Sequence, residues 1–289
     1  MTDAVEVEKE LLVMLESTDP LVRVRGARGL LRPDPAYATD RSLAERLLTA
    51  AENERCEEPP AGEHRDSWLP SVLGELVARI VVSKTATWER ARALMHTQPL
   101  TDLRVALIRH FLVWNEHEDE VYDTLEALVA DPQAEVRVGV LDALQLDPVT
   151  NFQHQERLFR FFCDNLTSSD PNVASKALQN LGGWISERAD LFDVFLEHMR
   201  ARKDETVPYR CIFGVARLLD ANAPATDVQR AKAVTIATAI ARNPANGHDR
   251  ILVLKGIRDH DAVGGRALLT DLKKDPDKAV AKEAKSLLK

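Results

Sequence analysis

The sequence predicts an all-α fold, a right-handed α-solenoid of about eight helix-pair repeats with no sheet, and three observations carry that expectation. First, the stretch DPQAEVRVGVLDALQ, Asp131 to Gln145, recurs as DPLVRVRGARGLL from Asp19, DPNVASKALQNLG from Asp170 and DPDKAVAKEAKSLL from Asp275, with a weaker copy, QPLTDLRVALIRHFL, from Gln98. Each Asp-Pro suits a turn followed by a first helical residue, because Pro fixes φ and has no N–H to lose there. Second, apolar residues follow at helical spacing. In the reference stretch these are Val136, Val140, Leu141 and Leu144, with small Gly139 and Ala143 where a neighbouring helix must come close. Third, Pro99, Pro132, Pro171 and Pro208 are separated by 33, 39 and 37 residues, near the period of paired-helix repeats.

The elements follow in order. A helix over Ala4 to Glu16 pairs with one from Pro20 to Leu31, and the two prolines of RPDPAYATD then mark a turn. Ser42 is the expected N-cap of a helix over Leu43 to Glu52. The residues NERCEEPPAGEHRDS have no apolar period and contain Pro59, Pro60 and Gly62, so 53–67 reads as an insertion. Helices are expected over Trp68 to Val82, Thr87 to Met95, Leu100 to Trp114 and Glu116 to Ala130, followed by the reference stretch. Beyond it come Phe152 to Leu166, Pro171 to Gly182, Leu191 to Ala201, Val207 to Leu219, Val228 to Ala241, His248 to Arg258, Val263 to Lys273 and Asp277 to Leu288. Gly182 and Gly183 read as helix-ending glycines. A single repeat domain over 1–289 escapes the size limit of a compact core, since each repeat buries a face only against its neighbours.

Composition narrows the function classes. Hydrophobic residues make up 45%, charged residues 29% and aromatics 5%, an ordinary globular balance that favours helices over sheets. Cys56, Cys163 and Cys211 are odd in number and widely spaced, with no CxxC pair, which fits a reducing cytoplasm. The acidic start MTDAVEVEKELLVMLE lacks the features of a signal peptide, and no apolar run approaches the ~20 residues that span a bilayer. The expectation is a cytoplasmic protein without a membrane partner. A net charge of −8 disfavours nucleic acid. Cys56, Glu57, Glu58, Glu63, His64 and Asp66 cluster without the spacing of any zinc or calcium motif, so no metal is expected. GxSxG, HExxH, Walker and GxGxxG motifs are absent, and neither a catalytic residue nor a cofactor is assigned.

The recurring Asp-Pro and Val-Arg stretch resembles the second helix of a HEAT repeat, and the resemblance extends over nearly the whole chain. It implies that Asp19, Arg23, Asp131 and Arg137 take part in a hydrogen-bonded ladder along the turns. It also implies that the second helices line a concave surface. Those helices carry +10 and the remainder of the chain −18, which makes the inner face basic. The function expected on this basis is a non-enzymatic scaffold or adaptor that holds a protein or peptide, in particular an acidic segment. Arg25, Arg28, Arg104, Arg109, Arg210, Arg217, Arg250, Lys255 and Arg258 are the candidate contacts, Arg being suited to bidentate carboxylate recognition. The alternative is that these side chains bridge to acids on neighbouring helices.

A second, narrower resemblance covers about one repeat. SSDPNVASKALQNLGGW, Ser168 to Trp184, is similar to a tryptophan-bearing segment of the HEAT-like alkylpurine DNA glycosylases. It implies a cleft of aromatic residues, a carboxylate and an arginine, for which Trp114, Glu118, Arg137 and Trp184 are the candidates. The carboxylate would be Glu where the family has Asp, the spacing to the arginine differs, and the paired Trp-Trp-Asp motif is absent.

Overall fold

A computed structural model describes residues 4–31, 35–56, 68–85, 88–112, 118–146, 155–202 and 205–289. Among them are sixteen α-helices and no strand. The chain divides into two compact units, 1–150 and 151–289.

The first unit contains α1 (Ala4–Met14), α2 (Pro20–Leu30), α3 (Arg41–Asn53), α4 (Leu69–Val82), α5 (Trp88–Thr97), α6 (Thr101–Leu112), α7 (Glu118–Leu128) and α8 (Ala134–Leu146). Each odd helix packs on the even helix that follows it, and α2, α4, α6 and α8 pack in succession. On the other layer α1 meets α3 and α5 meets α7. The second unit repeats this arrangement with α9 (Gln155–Asn165), α10 (Pro171–Trp184), α11 (Phe192–Arg202), α12 (Tyr209–Leu218), α13 (Asp227–Arg242), α14 (Ile251–His260), α15 (Ala262–Leu272) and α16 (Lys278–Leu287). There α10, α12, α14 and α16 pack in succession, and α11 meets α13.

Burial follows from the sequence pattern. Helix α4 is apolar on nearly every side, and Leu69, Leu73, Leu76, Val77 and Ile80 are buried because it lies against α2, α3, α5 and α6. Helix α12 buries only Cys211, Ile212, Gly214, Val215 and Leu218, which leaves its opposite face outside the core. Helix contacts this close need glycine at the crossing. In the second unit a Cβ on Gly214 would stand 2.7 Å from the Gly182 carbonyl oxygen, and one on Gly182 would stand 2.9 Å from that of Arg210. Gly182 and Gly183 therefore lie inside α10 and serve its approach to α12, contrary to the helix-ending role expected of them.

The Asp-Pro pairs divide into two kinds. At Asp19 and Asp170 the aspartate caps the helix, accepting from the backbone N–H of Leu21 at 2.8 Å and of Asn172 at 2.9 Å, and Pro is the first helical residue. At Asp131 and Asp275 the helix starts later, at Ala134 and Lys278, and each carboxylate accepts the N–H two residues on, from Gln133 and Asp277, both at 2.9 Å. Their remaining acceptor capacity is taken by an arginine of the preceding hairpin. Helix α3 is capped by Asp40, which reaches the Ser42 N–H at 2.8 Å and the Leu43 N–H at 3.1 Å, so Ser42 is the second helical residue and not the N-cap.

Of the insertion expected at 53–67, Asn53 is the last residue of α3, residues 54–56 are described, and 57–67 lie outside the described residues. Glu54 ties this end down. Its buried carboxylate receives two bonds of 2.9 Å from Arg23 and the N–H groups of Arg55 and Cys56.

Candidate functional site

The nine basic side chains expected to form one surface have three different fates. Arg104 and Arg250 do not reach a surface at all. Arg104 is buried, donates to the Met95 carbonyl at 2.6 Å and to Gln133 at 3.1 Å, and forms an ion pair with Asp131. Arg250 is 2% exposed, donates to the Gly247 carbonyl at 2.7 Å and grips both oxygens of Asp275 at 2.8 Å. The two burials share a cause. Each guanidinium turns toward the interior, where the carbonyl nine residues back and the aspartate of the next turn supply the acceptors that a buried arginine requires. Arg28, Arg109, Arg210 and Arg258 are half-buried, Arg258 being paired with Asp259 at 2.6 Å. Arg25, Arg217 and Lys255 are exposed.

The ladder implied for Asp19, Arg23, Asp131 and Arg137 takes a different form. Arg23 donates to the carbonyls of Ser17 at 2.9 Å and Thr18 at 3.2 Å, and Arg137 to those of Asp131 at 2.7 Å and Pro132 at 3.0 Å, so these two arginines hold their own turns. The acidic partner of Arg23 is Glu54, and Asp19 is occupied in capping.

The side chains left outward on α12 make the best-defined surface in the second unit. Tyr209 is 53% exposed and its ring stacks on Phe213, with centroids 6.3 Å apart and planes 20° from parallel. The Arg217 guanidinium stands 5.9 Å from the Phe213 ring centroid, within cation–π range. Spacing of four residues puts the three on one stripe, opposite the buried Ile212 and Val215. Beside it, the Arg210 guanidinium lies against Gly183 of α10, 3.3 Å from where a Cβ would stand. Helix α14 buries Val253, Leu254 and Ile257 at the spacing of Cys211, Ile212 and Val215, so exposed Lys255 holds the register position of Phe213 on the neighbouring helix. Sequence reasoning missed Tyr209 and Phe213. The available signal was two aromatics four residues apart on the polar side of a strongly amphipathic helix.

Of the glycosylase-like set, Arg137 and Trp184 are the members with described side chains, and they belong to different units. Trp114 lies outside the described residues, as does the side chain of Glu118; Arg137 is held by its turn; and Trp184 ends α10 in the second unit, half-buried, with no hydrogen-bond partner for its indole N–H among the described residues. Burial raises the Cys56 and Cys163 thiols above their ordinary value and pushes Cys211 up to about 12.

A groove of about 1010 Å³ in the first unit runs along α1 and α3 to Cys56. Among its charged lining residues Arg46 pairs with Glu16 at 2.6 Å and Arg23 with Glu54, Glu45 pairs with Arg90, and Arg55 donates to the carbonyls of Glu52 and Glu54. No described helix is long and apolar enough to cross a membrane.

No family model matches the chain, and no curated protein does. Among solved structures, the crystal structure of an engineered protein is similar over 97% of this chain and 77% of its own, with a TM-score of 0.55 and 17% sequence identity. That likeness concerns the fold alone.

Proposed function

We propose that the chain is a right-handed HEAT-like α-solenoid of about eight helix pairs, and that it acts as a non-enzymatic scaffold holding an acidic peptide or protein segment on the exposed face of its second helices. The observation that carries the binding role is the Tyr209, Phe213 and Arg217 stripe. An exposed Tyr209 ring stacked on half-buried Phe213 and followed by a guanidinium has no use in the core, and Tyr and Arg are the residue types that dominate binding energy at protein interfaces. Arg217 and Lys255 add the positive charge that steers an acidic partner. Successive packing of the even helices in each unit, together with the matching Arg104–Asp131 and Arg250–Asp275 pairs, supports the repeat architecture. A cytoplasmic location belongs to the same reading and rests on the absence of a cysteine framework.

The test is selection of binders from a random peptide library on the intact protein. Selected sequences should be rich in Asp and Glu, and the variant Tyr209→Ala/Arg217→Glu should weaken them by about tenfold or more. Its melting temperature should stay at the wild-type value, because both side chains are exposed. Binders that tolerate the variant would remove the stripe from the reading. No described side-chain arrangement favours the base-excising alternative, and tight binding of duplex DNA that weakens steeply with salt would replace the scaffold reading with it.

A further inference from the structure

The last helix carries a second charged surface, distinct from the aromatic stripe of α12. Lys278, Lys282 and Lys285 lie on α16 and Lys289 just beyond it, spaced four, three and four residues apart. At 3.6 residues per turn these positions fall within about 60° of arc and extend over about 16 Å. All four are exposed. Their side-chain ammonium groups have no ion pair or hydrogen bond among the described residues, which include every residue from 205 onward.

The acids of the neighbourhood are committed elsewhere. Asp275 grips Arg250, Asp277 caps α16 by accepting from Ala279 and Val280, and Glu283 lies on a different side of the helix from the lysines. The buried side of α16 is formed by Val280, Ala281 and Ala284. Four like charges on one helical face repel one another, with neighbours four apart costing a few tenths of a kcal/mol each. The C-terminal end of the helix dipole offsets part of this for Lys285 in the last turn, and no described carboxylate pairs with any of the four.

We propose that this lysine face docks a short acidic segment of another protein, one whose carboxylates span about three helical turns. Three features select this occupant. Compact ammonium groups on flexible stems accommodate several carboxylates without the fixed fork that single-site recognition uses. The face carries no exposed large apolar side chain, which an interfacial membrane helix needs for insertion. The chain as a whole is at −8, which disfavours a long polyanion over a short acidic segment.

The experiment is fluorescence anisotropy of a labelled deca-glutamate peptide titrated with the full chain at about 0.15 M salt, where the Debye length is ~8 Å. Wild type is expected to bind, and Lys278→Glu/Lys285→Glu to weaken binding by about tenfold or more, with Lys278→Gln/Lys285→Gln in between and all three melting alike. In the Tyr209→Ala/Arg217→Glu background, which removes the α12 stripe, Lys278→Glu/Lys285→Glu is still expected to weaken deca-glutamate binding by about tenfold, which separates this face from the stripe. Absence of binding by the wild type, or equal affinity in the charge-reversed protein, would overturn the proposal. So would tighter binding of a short DNA duplex or of phosphatidylserine vesicles than of the peptide.

Discussion

Replacing Arg250 with alanine lowers the unfolding free energy by about 3–5 kcal/mol, the usual cost of removing one partner from a buried ion pair. Asp275 is only 7% exposed on its side chain, so the truncation leaves a carboxylate with little access to water and one backbone N–H, that of Asp277, still bonded to it. It also frees the Gly247 carbonyl, which accepts from the same guanidinium. Urea unfolding followed by circular dichroism reads the loss, and a change below about 1 kcal/mol would mean that the pair is hydrated and worth no more than a surface bridge. The double variant Arg250→Met/Asp275→Leu should recover most of the loss, since apolar replacement of a whole buried pair is often neutral. The effect also depends on pH. The Arg250 hydrogen bonds hold the Asp275 carboxyl below its ordinary value of 3.8, and a depressed folded-state pKa gives stability that is complete above the unfolded value. The gap between wild type and Arg250→Ala is therefore full above about pH 4 and narrows as the pH falls through the depressed value.

Gly74→Val is expected to cost about 3 kcal/mol or more, at the upper end of overpacking penalties. Helix propensity alone argues the other way, since a side chain at a mid-helix glycine gains up to ~1 kcal/mol. At Gly74 that gain is overwhelmed. A Cβ there would stand 2.5 Å from the Leu103 carbonyl oxygen and 2.8 Å from the Leu107 nitrogen, both backbone atoms of α6, so α4 and α6 would have to separate along their length. Gly29→Ala is the control: its Cβ would meet only the side-chain tip of Leu11, 2.7 Å away, which can rotate aside, and the substitution should be close to neutral. Equal destabilisation by the two changes in denaturant titrations would show that loss of glycine, and not helix approach, sets the cost.

The helices and their pairing were legible in the sequence because their causes are local. An Asp cap, a Pro at the first position and a 3.6-residue apolar period all lie within one segment, and the expected Pro171 to Gly182 helix differs from the observed one by two residues at its end. What failed were several inferences whose cause lies on another helix, although small Gly139 does sit against Val105 of α6 as expected. Gly182 reads as a helix terminator until Gly214 is placed against it. Arg104 and Arg217 are the same residue type on two second helices of the pattern, yet one is buried and the other exposed, and Arg104 is drawn in by Asp131 in the following turn. Asp-Pro likewise has one spelling and two geometries, since whether the carboxylate caps or receives an arginine depends on the preceding hairpin. The binding surface was sought by counting charge, a measure in which Tyr209 and Phe213 are invisible.

The inward side of α12 has a kinetic consequence. Cys211 is 1% exposed, on the face opposite the Tyr209 stripe, and its α-carbon lies 3.2 Å from where a Cβ on Gly182 would stand. No alkylating reagent fits into that contact. Modification must wait for α12 to lift away from α10, so the rate at which Cys211 is labelled, relative to the same thiol in unfolded chain, is a clock for local opening of the helix that presents the stripe. A peptide that docks on the outer face without reaching the thiol would slow that clock by a factor set by its preference for the closed helix, and occupancy could be read from a residue the ligand never touches.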